Sequence, residues 1–138
     1  MSIRKISHIG IAVNSLDAWI PFYRDILGLA FLGEEVVDSE QVRVAFFQIG
    51  ESRIELLEPT DDSSAIAKHI EKRGEGFHHI AYEVDHIEQD LENLQKQEIS
   101  LIHPVPKKGA HQTKIAFLHP ASTGKVLTEL CESLIQED

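Results

Sequence analysis

Cysteine is nearly absent: Cys131 is the only one in 138 residues. An internal disulfide is therefore impossible, and a zinc site built on cysteines is excluded as well. Cys131 itself reads as a small buried hydrophobe. No apolar run approaches the ~20 residues of a membrane span. The opening residues, MSIRKISH, lack the long apolar core of a signal peptide, so a cytoplasmic protein is expected. Basic residues are also scarce, with 13 Lys and Arg against 23 Asp and Glu and a net charge of −10. That balance argues against general nucleic-acid binding, which needs basic surface to neutralise phosphates. One stretch lacks the other sign. Between Glu98 and Glu129 there is no acidic residue, while Lys107, Lys108, Lys114, Lys125, His103, His111 and His119 all fall there. A locally basic segment on an acidic chain suits an anionic small ligand.

What is present is a repeat. SHIGIAVNSLD (7–17) lies over HHIAYEVDHIE (78–88) at an offset of 71, which places His8 on His79, Ile9 on Ile80 and Val13 on Val84. At the same offset RVAFF (43–47) lies over KIAFL (114–118). RIELLE (53–58) lies over LTELCE (127–132) at an offset of 74, which places Glu55 on Glu129; a longer turn in HPASTGK (119–125) accounts for the difference. Each half reads as β-α-β-β-β. Strands are expected near 5–13, 30–37, 42–49 and 52–58, then near 77–84, 99–103, 113–119 and 125–131. Asn14 and Asp85 are the expected helix caps, with Asp17 and Glu88 three residues on. Leu16, Ile20, Tyr23 and Leu27 form one face of the first helix, and Gly28 is its stop. The fold class is α+β: a single domain over 1–138, with modules at 4–59 and 76–133 and a linking helix in 60–75 that ends at Gly74. Neither module alone has enough core to be comfortable, so the two are expected to pack together.

The repeat singles out four side chains: His8 and His79 on the first strands, Glu55 and Glu129 on the last. His78 is excluded from the set because strand neighbours point to opposite faces. A carboxylate inside an apolar run is costly to bury unless it is paired or metal-bound. If a pseudo-twofold axis relates the modules, two imidazoles and two carboxylates can surround one divalent ion. This N/O set suits Zn, Co, Ni, Mn or Fe(II), and octahedral coordination leaves two positions for substrate oxygens.

At these residues the chain resembles the vicinal oxygen chelate (glyoxalase-like) superfamily, whose paired βαβββ modules cup a metal in a U-shaped mixed sheet. The stretches HIGIAV, YRDILGL, RVAFFQIG, RIELLEP, AKHIEKRGEGFHHIAYEVD and KKGAHQTKIAFLHPASTGKVLTEL look most like its methylmalonyl-CoA epimerases. The resemblance implies metal ligands His8, Glu55, His79 and Glu129 for a Co, Zn, Ni or Mn ion. It implies epimerisation at C2 of methylmalonyl-CoA through a chelated, enolate-like thioester. Glu129 and Glu55 are the expected proton-transfer groups, because Val44 stands where some members carry an additional glutamate. Lys107, Lys108, Lys114 and Lys125 are the expected contacts of an anionic CoA tail. Ala121 departs from a frequent Lys, and Lys125 from a frequent Gly. A homodimer is expected.

Glyoxalase I, acting on a glutathione hemithioacetal, is the alternative, since its bacterial forms resemble the same His, Glu, His, Glu set. An acidic DPDG-type turn is typical before its last strand, whereas this chain has HPASTGKVLTEL. A ring-cleaving dioxygenase would leave Glu55 superfluous, and drug-sequestering relatives generally lack the metal set. His111 and His119 read as loop or turn residues, and His78 as a packing residue.

Overall fold

Burial along the first strand already shows which residues face inward. In β1 (Ile3–Ala12) the side chains of Ser7, His8 and Ala12 are buried, whereas Ile3, Arg4 and Ile6 are exposed. The computed structural model describes residues 1–135. After β1 come α1 (Leu16–Pro21), β2 (Ala30–Val37), β3 (Val42–Ile49), β4 (Ser52–Pro59) and α2 (Ala65–Arg73). The order then repeats as β5 (Gly76–Val84), α3 (Ile87–Lys96), β6 (Lys107–Gly109), β7 (Thr113–Leu118) and β8 (Thr128–Ser133). The class is α+β, and β-α-β-β-β occurs twice around α2.

The chain divides into two compact units, His8–His78 and Met1–Ser7 with the residues from His79 onward, so the division falls inside β1. In the His8–His78 unit the strand order is β2-β3-β4-β1, antiparallel except for the parallel β4–β1 pair. One face of this sheet packs Ala45, Phe47 and Leu56 against Leu16 and Ile20 of α1. The opposite face carries His8, Glu55 and, across from Glu55 on β3, Phe46. In the other unit the order is β1-β5-β8-β7-β6, with β5–β8 parallel. Ala116, Leu118 and Leu130 there pack against Ile87 and Leu91 of α3.

The helix ends depart from expectation for a physical reason. The cap of α1 is Ser15, whose hydroxyl accepts from the Ala18 N–H (3.3 Å); Asn14 lies one residue outside, and its own N–H donates to Glu75 (2.8 Å). Asp85 does not cap α3 either. His86 occupies that position without a side-chain hydrogen bond, and the Ile87 N–H instead donates to Glu132 of β8 (3.0 Å). The first helix repeats this device, with the Leu16 N–H donating to Glu58 of β4 (2.9 Å). Each carboxylate faces a helix N-terminus, where free N–H groups and the helix dipole favour an anion.

The helix over 16–27 is also not uniform. Pro21 has no N–H to give, and the chain widens into a π-turn over Phe22–Ile26, with the Leu27 N–H bonded to the Phe22 carbonyl (2.9 Å). The extra residue in the turn rotates the register, so Leu27 is exposed while Leu29 joins the core. Gly28, at φ +73°, ends the segment. In the second half the expected strand at 99–103 is reduced to a single bridge between Leu101 and Leu118. Pro104 and Pro106 interrupt pairing there, and the strand forms at Lys107–Gly109 instead. The expected strand at 125–131 begins only at Thr128, because Gly124 (φ +64°) and Lys125 (φ +69°) are still turning.

Candidate metal centre

Each unit builds the same local pair from the same register. On β4, Glu55 lies opposite Gly10 of β1 and opposite Phe46 of β3. On β8, Glu129 lies opposite Ala81 of β5 and opposite Phe117 of β7. The histidine sits two residues before the small residue in both cases, and so on the same face. His8 Nδ1 is 3.2 Å from Glu55 Oε2, and His79 Nε2 is 3.4 Å from Glu129 Oε1. All four residues are buried, His8 with 6% of its surface exposed and the other three with 4%.

The two pairs differ in one respect that sequence reading missed. Arg53 places Nη2 3.0 Å from Glu55 Oε2 and so supplies that carboxylate with a counter-charge. The repeat places Leu127 at the matching position before Glu129, where no such cation can form. Arg53 was findable: residues two apart on a strand share a face. His79 has an aromatic neighbour instead, the Phe117 ring at 5.3 Å and nearly perpendicular. The Phe117 N–H donates to His103 Nδ1 (3.1 Å), which fixes that imidazole beside the same ring.

Buried carboxylates next to imidazoles are the donor chemistry a borderline divalent ion takes. His8 and Glu55 in one unit, and His79 and Glu129 in the other, each offer an imidazole nitrogen and a carboxylate oxygen of matching register. The residues therefore fit a divalent metal.

The four lysines separate. Lys107 lies opposite Ile115 on the sheet face that carries Phe117 and Glu129. Lys108 pairs with Lys114 on the other face. Lys114 is held there by Glu88 (2.7 Å) and Glu132 (3.3 Å), over α3. Lys125 is exposed in the turn before β8. His111 is exposed in the turn between β6 and β7, and His119 accepts from the Ala121 N–H (3.0 Å) to cap a short 3₁₀ turn over Pro120–Ser122. His78 packs edge-on against His69 with ring centres 4.8 Å apart. Burial, and then the charge of His69, push the His78 pKa down to about 4.

The Glyoxalase/Bleomycin resistance protein/Dioxygenase superfamily pattern matches residues 7–117. The chain belongs to that superfamily. It is 44% identical over 130 residues to Uncharacterized protein YqjC of Bacillus subtilis, covering 94% of this chain and 93% of that one. It is 36% identical to the mitochondrial methylmalonyl-CoA epimerase of Bos taurus, covering 94% of this chain and 74% of the bovine one. Among solved structures it is similar to a variant of the Streptomyces coelicolor methylmalonyl-CoA epimerase in complex with 2-nitronate-propionyl-CoA, at 37% identity, a TM-score of 0.94 and 99% coverage of both chains. Within the superfamily, then, its kinship is with the epimerases.

Proposed function

We propose that this chain epimerises methylmalonyl-CoA at C2, with His8, Glu55, His79 and Glu129 as ligands of one divalent metal ion. The enzyme class, an isomerase, follows from kinship with epimerases over nearly the whole chain. The observation that carries the mechanism is the repeated, buried His–Glu pair in each unit. A bound divalent ion supplies Lewis-acid chemistry, stabilising negative charge that develops on a thioester oxygen.

The chain's own residues do the rest. His8 and His79 offer imidazole nitrogen donors from β1 and β5. Glu55, with Arg53 as counter-charge, serves as a fixed anionic ligand. With Glu55 tied to Arg53, Glu129 is the better group to take the C2 proton; inversion then requires the planar carbon to receive a proton on its opposite face, because return to the same face regenerates the starting epimer. Burial of all four side chains keeps water away from the reacting carbon. Lys107 faces the side on which Glu129 lies and is the foremost of the four lysines for an anionic CoA tail; Lys108 and Lys125 are secondary. Lys114, committed to Glu88 and Glu132, contributes by holding α3 to β7.

No helix among the described residues is long and apolar enough to cross a membrane. The bovine relative is a mitochondrial protein by name, so kinship does not carry the cytoplasmic expectation. Cytoplasmic residence and a homodimer are part of this proposal. Glyoxalase I shares the donor set, and the relatives named above favour the epimerase. One assay separates them. Purified protein loaded with Co or Zn is given a single epimer of methylmalonyl-CoA, and in parallel a methylglyoxal–glutathione hemithioacetal. Interconversion of the epimers with an inert hemithioacetal supports the proposal; the reverse pattern overturns it.

A further inference from the structure

The 13 Lys and Arg of this acidic chain are unevenly matched. Arg4, Arg43, Arg53 and Lys114 are each ion-paired to two carboxylates or to a buried one. Lys5, Lys108 and Lys125 make no ion pair among the described residues, and helix α2 gathers three more such cations. Lys68, Lys72 and Arg73 make no ion pair among the described residues, and with Ala65, His69, Glu71 and His78 they line a groove of about 450 Å³. That volume falls within the range of small-molecule sites. Lys68 and Lys72 are four residues apart and stack cation on cation along the helix, an arrangement that disfavours the helix unless an anion lies between them. Lys72 and Arg73 complement the helix C-terminus, but Lys68 and His69 lie a turn earlier, beyond the reach of that effect. The His69 pKa is pushed down by burial and then by the Arg73 charge, which marks a local positive field. His78 and His79 are strand neighbours and point to opposite faces, so the groove is on the other side of β5 from the candidate metal ligand.

We propose that this groove is a binding site for a phosphate-bearing small molecule, held by Lys68, Lys72 and Arg73 beside the imidazoles of His69 and His78. Phosphate oxygens accept several charge-assisted hydrogen bonds at once, and Arg73 can engage two of them in parallel. The site is separate from the chemistry proposed above and stands or falls independently of it.

The test is titration of the full chain with pyrophosphate and, separately, with ADP, at constant ionic strength set by KCl, read by amide and imidazole NMR and by calorimetry. The expected result is saturable one-to-one binding that shifts the resonances of Lys68–Arg73 and the His69 ring. A tighter fit for ADP identifies a nucleotide; a tighter fit for pyrophosphate identifies the free anion. The double variant Lys68→Gln/Lys72→Gln and the single variant Arg73→Gln should each weaken binding tenfold or more while leaving epimerase turnover unchanged. Absence of saturable binding of either probe, equal displacement by KCl, or undiminished affinity in the folded variants would overturn the proposal.

Discussion

Glu58 accepts the Leu16 N–H at the start of one helix, and Glu55, three residues before it on β4, faces the other side of the sheet toward His8. The division of labour between these two carboxylates recurs in Glu132, which accepts the Ile87 N–H, and Glu129, which faces His79. Each E-x-x-E pattern on a last strand thus serves a helix with one acid and a histidine with the other, because odd and even positions of a strand lie on opposite faces.

The asymmetry between the halves predicts unequal roles. Glu129→Gln should lower epimerase turnover by roughly 10²–10⁴-fold, the range expected for loss of a proton-transfer group. Glu55→Gln should cost no more than about tenfold, since an amide oxygen still offers a ligand atom. Steady-state kinetics of both variants, with metal content measured on the same samples, checks the order; equal losses would remove the distinction.

Arg53 should matter most when metal is absent. Its guanidinium neutralises a carboxylate that is 4% exposed. Arg53→Met should destabilise the metal-free protein by on the order of 3 kcal/mol, the cost of leaving a buried charge without its partner. Adding Glu55→Gln to that variant should recover most of the loss, which urea denaturation of the three proteins will show.

His78 gives a pH signature. Its folded pKa, about 4, lies below the ordinary histidine value of about 6.5, so the unfolded chain binds the proton more readily. The contribution is fully present above about pH 6.5 and is lost as pH falls through that value toward 4, reaching about 3 kcal/mol. His78→Gln should flatten this part of the stability profile; an unchanged slope would assign it to other groups.

Gly109 should tolerate no side chain. A Cβ there would lie 2.5 Å from Ile115 Cγ2 and 2.9 Å from Thr113 Oγ1. Gly109→Ala should therefore cost roughly 1–3 kcal/mol through overpacking and loosen β6 against β7. Thermal melting and amide exchange in 107–118 would register both effects.

The pairing of His8 with Glu55 and of His79 with Glu129 could be read from the repeat because strand period and register carry both residues together. Strands β1 to β5 and β7 were legible for the same reason. The helix caps were not. Glu58 reaches Leu16 across 42 residues and Glu132 reaches Ile87 across 45, whereas Asn14 and Asp85 looked adequate from nearby sequence alone. Leu27 was misplaced because a π-turn adds a residue that a 3.6-residue period does not anticipate. The strand expected at 99–103 ignored the following prolines, whose missing donors push pairing on to Lys107.

The most direct test is metal titration of stripped protein during incubation of methylmalonyl-CoA in D₂O, with deuterium at C2 followed by NMR. Exchange should rise linearly with added Co or Zn, break at one ion per chain, and vanish in His79→Ala at every loading. Full exchange without metal, or none at any loading, would contradict the account.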